Sequence, residues 1–148
     1  MKKNYIISAL VFAILGLLAG VYFREFTKAL QLEGVYTSLS FSHVHFLALG
    51  TVGLLIFGLV TDHLHVDSKL LKPAFITYVV GVFGSGSLSI ARGTLDVLWK
   101  AKPHEFEISS GVNATISGLS GVFHVVFAVG IVLYFIAWIK QAKKNEQK

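Results

Sequence analysis

Histidine is the residue type in this chain best suited to chemistry in apolar surroundings. The sequence has 6 histidines and no cysteine. Three histidines sit in uncharged runs: His43 and His45 in Ser42-His43-Val44-His45-Phe46, and His124 in Gly121-Val122-Phe123-His124. A neutral imidazole ligates iron, copper and zinc, and it titrates near neutral pH. The missing cysteines exclude disulfides, covalently attached c-type haem, iron–sulfur clusters and thiolate metal sites. His63 and His65, in Asp62-His63-Leu64-His65-Val66-Asp67, form a second pair in a charged stretch. We read that stretch as a solvated turn, with weak metal binding as the lesser alternative. His104 falls in a loop with no evident partner.

The elements that must position these residues follow from composition. Hydrophobic residues make up 54% and charged residues 14%, with a mean hydropathy of +0.69. Soluble domains carry about a quarter charged residues. Four runs contain no Asp, Glu, Lys or Arg: Tyr5 to Phe23, Phe41 to Val60, Pro73 to Ala91 and Ser117 to Ile139. Each approaches the ~20 residues that cross a hydrocarbon core as a helix. In lipid a helix closes its own backbone hydrogen bonds, and the short alternating segments of a β-barrel are absent from the pattern. The expected fold is all-α: an integral membrane four-helix bundle in one domain, residues 1–148. The first run is long for a signal-peptide core of about 7–15 residues, so we read it as a span.

Basic residues cluster at the run ends. Eight lie on the side of the termini (Lys2, Lys3, Lys69, Lys72, Lys140, Lys143, Lys144, Lys148) and five on the other (Arg24, Lys28, Arg92, Lys100, Lys102). The positive-inside rule places both termini in the cytoplasm of a multi-pass protein of the cell membrane. The net charge of +5 is accounted for by lipid headgroups, so no nucleic-acid partner is expected. Residues Arg92 to Ile116 read as a long outer loop, in which Gly93 to Lys102 forms an amphipathic helical extension with Leu95, Leu98 and Trp99 on one face. Glycines recur in the runs, which suits close helix packing and, less often, room for a flat ligand.

Depth and direction sharpen the histidine argument. The second and fourth runs both begin at the outer face. His45 and His124 then lie at similar depths, with His124 about 10 Å in. Residues two apart on a helix point about 200° apart, so His43 and His45 face opposite sides. One can meet His124, and the other must serve a second site or a second subunit. Ser117, Ser120, Gly121 and Ala128 share the face of His124 and leave a small-residue wall beside it. A lone intramembrane histidine by default bonds a neighbouring helix. Three at one depth, beneath Arg24 and Arg92, point to a cofactor or metal. Two histidines from different helices are a common axial pair for haem b, and arginines suit its propionates.

The stretch His43-Val44-His45-Phe46-Leu47-Ala48-Leu49-Gly50, continuing to Gly58, resembles the His-x-His helix of the haem-copper oxidase large subunit. That resemblance implies that His45 ligates a low-spin haem with His124 as partner, and that His43 faces a second site. It also implies a homotrimer, because the oxidase subunit is built of three four-helix arcs. The copper-site histidines and tyrosine of the oxidases have no counterpart here, and no span carries a proton-channel carboxylate. Along most of its length the chain resembles a family of small uncharacterised bacterial four-helix membrane proteins. That likeness lies in Arg24-Glu25-Phe26-Thr27-Lys28, His43-x-His45, Arg92-Gly93 and Gly118-Leu119-Ser120-Gly121-Val122-Phe123-His124.

The sequence therefore supports a bis-histidine haem b protein acting in electron transfer, haem handling or gas sensing, with a redox partner and without independent catalysis. Any catalysis would be that of an oxidoreductase. Copper or zinc at the same histidines is the alternative. One methionine and no cysteine disfavour copper trafficking. A small transporter or assembly subunit is the third reading, and it lacks intramembrane charges.

Overall fold

Backbone that cannot bond water must bond itself, and the four apolar runs do so as helices. A computed structural model describes residues 2–103, 105 and 108–147, so His104 lies outside the described residues. The helices are α1 (Lys2–Ala29), α2 (Ser38–His63), α3 (Leu71–Ala101) and α4 (Ser110–Glu146). All four are long and apolar enough to cross a membrane, and no strand occurs among the described residues.

Each helix outruns its uncharged core. α3 continues through Arg92 to Ala101, as expected of the amphipathic extension. Its buried side is Gly93 and Val97, however, while Trp99 is exposed. Leu39 of α2 packs directly on Gly93, which leaves no space for a Cβ there. α4 begins at Ser110, about two turns before Ser117. The Ser109 hydroxyl starts it by accepting from the Val112 amide at 3.3 Å. Much of the expected long outer loop is thus helical, since α3 runs to Ala101 and α4 starts at Ser110.

Two helix ends use left-handed residues. Gln31 (φ 55°) follows α1, and the Leu32 amide reaches back to the Thr27 carbonyl at 2.8 Å. His65 (φ 49°) follows α2, and the Val66 amide reaches the Thr61 carbonyl at 3.0 Å. Both are Schellman-type caps. His65 therefore has a structural task, and with His63 it is exposed.

The helices run alternately up and down, so both termini share one end. At that terminal end, Tyr5, Phe57, Tyr78, Tyr134 and Trp138 form an aromatic cluster. The Phe57 ring lies 4.8 Å from Tyr78 and 4.6 Å from Tyr134. The Tyr134 hydroxyl donates to Tyr5 Oη at 2.9 Å, and Trp138 Nε1 donates to Thr61 Oγ1 at 3.0 Å. Such ring pairs contribute about 0.5–1.5 kcal/mol each beyond their burial.

The far end is looser. α3 is the central helix, with 39% of its most apolar stretch buried against 17% for α4. Sequential neighbours make the main packing: α1 on α2, α2 on α3, α3 on α4. Gly81 and Gly130 let the α3 and α4 backbones touch, at Phe127 and Tyr78 respectively. Toward the far end α4 leans on α3 through Phe123 over Gly84 and through Arg92 to Ser117, with most other residues of 110–125 exposed.

Candidate functional site

Buried positions on α2 recur every four residues through its middle: Ser42, Phe46, Gly50, Leu54. An α-helix would rotate such a stripe by about 40° per repeat. α2 instead widens into a nine-residue π-helical segment, His45–Gly53, which keeps the stripe facing inward. His45 is the first residue of that segment. π-Helical turns are rare and frequent at functional sites.

His45 projects from α2 toward His124 of α4. Their ring centroids are 6.1 Å apart and their planes are 84° apart. Nδ1 of His124 lies 2.7 Å from the Ser120 carbonyl oxygen. A carbonyl only accepts, so Nδ1 carries the proton and Nε2 keeps its lone pair free. Histidines that ligate metals are held in this way, one nitrogen donating to the protein and the other open. The pair is less enclosed than expected of buried residues: His45 is partly buried and His124 is exposed.

His43 points elsewhere, as its spacing from His45 requires. It packs against α1, where it is the neighbour of Gly20. Its Nδ1 is buried and has no hydrogen-bond partner among the described residues.

The two arginines separate. Arg92 lies above His124, with Nε 3.4 Å from Asp96 Oδ1 and Nη1 donating to Ser117 Oγ at 3.0 Å. It lines a cleft of about 300 Å³ with Ser38, Ser89, Ile116, Ser117 and Ser120. Ser38 of α2 donates to Asp96 Oδ2 at 3.3 Å, closing the ring of polar groups. Arg24 does not join this group. Its side chain is 79% exposed on α1 and pairs only loosely with Glu25, at 3.6 Å. Of the two arginines, Arg92 is the one that lines this cleft, with Asp96 as its ion-pair partner.

The small residues around His124 also divide. Most helix glycines serve packing: a Cβ at Gly50, Gly58, Gly81, Gly84, Gly86 or Gly130 would press on a neighbouring helix. Gly118 and Gly121 differ, since no atom of another helix lies within 4 Å of where their Cβ would stand. Gly121, one turn before His124, thus leaves α4 open beside the imidazole.

Asp96 and Ser38 escaped the reading of the sequence. Asp96 stands four residues from Arg92 on one helix, the spacing of an ion pair.

The match that covers residues 1–141 is to a family described as protein of unknown function, DUF2871. The chain belongs to that family. Membership agrees with the likeness along most of the chain to a small uncharacterised family, and it brings no activity with it. No curated protein and no solved structure matches the chain, so the comparisons do not extend to the haem-copper oxidases.

Proposed function

We propose that this DUF2871 member is a membrane cytochrome that holds haem b between His45 and His124. The ring pair is the observation that carries the reading. His45 and His124 would hold the group through their imidazoles, which two different helices bring to 6.1 Å between ring centres. The fixed tautomer of His124 presents a lone pair, and the open space at Gly121, one turn away on the same face, would admit a flat macrocycle. Arg92 and the serine-lined cleft offer donors for propionates. Arg24 has no part in this version of the site.

Donor count favours haem over zinc or copper. No group of three His, Cys, Asp or Glu donors gathers among the described residues. A porphyrin supplies four nitrogens of its own and asks two ligands of the protein. Bound there, haem would supply a one-electron couple, and the chain's residues would orient it and keep it from water.

The protein sits in the cell membrane with both termini cytoplasmic, on the argument from charge bias. The exposed outer half of α4 leaves the site open at one side. A homo-oligomer, a trimer by analogy with oxidase arcs, would close it. The decisive experiment is absorption spectroscopy of the purified protein titrated with haem. A Soret band of a six-coordinate haem is expected in the wild type and is lost in His124→Ala. A protein that stays colourless through the titration would overturn the reading.

A further inference from the structure

The π-helical segment starts at His45 and ends at Gly53, and two side chains clamp it. The Tyr78 hydroxyl of α3 donates to the Leu49 carbonyl at 2.8 Å. Thr51 Oγ1 donates to the Phe46 carbonyl at 3.3 Å, five residues back, and to the Ala9 carbonyl of α1 at 3.2 Å. A wide turn needs such help. Changing from five-residue to four-residue bonding leaves a carbonyl short of a backbone donor, and in an apolar interior that deficit is costly. Tyr78 is 2% exposed, so water does not substitute for its hydroxyl. Gly53 is part of the same fitting, because a Cβ there would collide with the Tyr78 hydroxyl.

The wide segment reconciles two halves of one helix. Leu39, Ser42 and Phe46 face inward at the far end, and Leu54 and Thr61 do so at the terminal end. Tightening the segment to α-helical bonding takes out about one residue of winding, which turns one half against the other by about 100°. The terminal half is held by Phe57 in the aromatic cluster and by the Thr61–Trp138 bond. The half that bears His45 would then turn.

We propose that Tyr78 is the positioning residue of the histidine pair: its hydroxyl over the Gly53 notch holds α2 in the wide register that aims His45 at His124. The proposal rests on the reading of the pair as the ligand site, but its test does not need haem. The chain lacks cysteine, so engineered thiols report alone. The full-length His45→Cys/His124→Cys variant is treated in native membranes with a short bifunctional thiol reagent. A Tyr22→Cys/Thr94→Cys variant is the control, since those side chains touch at 3.1 Å between α1 and α3 at the far end.

Adding Tyr78→Phe, or separately Gly53→Ala, should lower the 45–124 cross-link at least threefold and leave the 22–94 cross-link unchanged. Equal loss of both cross-links, or loss of neither, would overturn the proposal. The haem reading fails separately, through a wild type that binds no haem while the 45–124 cross-link of the double-cysteine variant still depends on Tyr78.

Discussion

Two glycines on facing helices make opposite predictions for the same substitution. Gly81→Ala puts a methyl against the backbone of Phe127, where the neighbour cannot rotate away. Overpacking costs typically 1–3 kcal/mol, and contact with backbone belongs at the top of that range, about 3 kcal/mol. Replacing glycine by alanine in a helix returns up to about 1 kcal/mol. The net loss is about 2 kcal/mol, roughly thirtyfold in the unfolding equilibrium. Gly121→Ala meets no atom within 4 Å, so only the favourable part remains. Reversible unfolding in mixed micelles, followed by circular dichroism, measures both. Gly81→Ala should unfold at lower denaturant than wild type, and Gly121→Ala at equal or higher denaturant. Haem binding separates the roles further, because Gly121→Leu should keep the fold and block the open face beside His124. Equal stability of the two alanine variants would refute the division of glycines into packing and open positions.

Two further outcomes follow from the same geometry. Arg92→Ala should weaken haem binding by roughly ten- to a hundredfold, in line with ~1.5–3 kcal/mol for a charged hydrogen bond, while Arg24→Ala leaves it unchanged; a haem titration of each variant checks this. Thr61→Val should cost about 1 kcal/mol by removing the acceptor for Trp138 Nε1. It should also shift Trp138 fluorescence, read in a Trp99→Phe background and compared with the same background retaining Thr61.

Much of the fold was legible because uncharged length is a direct signal of a membrane helix. The true helix ends were less so. α3 and α4 extend into segments with charged or polar residues, and local capping at Ser109 rather than hydropathy sets where α4 starts. The His45–His124 meeting was legible from depth and angle. It survives the π-helical segment because residues two apart still face opposite ways in a wider turn. The four-residue spacing of Ser42, Phe46, Gly50 and Leu54 was visible in the sequence, but it signals a wide turn only once those residues are known to be buried. Helix order left no such trace. Arg24 and Arg92 end their runs on the same side, and only packing brings Arg92 to Ser117 and leaves Arg24 exposed.

The central claim is that His45 and His124 together, and not His43, hold one haem. Oxidised and dithionite-reduced absorption spectra of haem-titrated wild type, His45→Ala, His124→Ala and His43→Ala test it most directly. The wild type and His43→Ala should show a low-spin spectrum, and each of the other two variants should lose it. A low-spin spectrum that survives the joint replacement of His45 and His124 would contradict it.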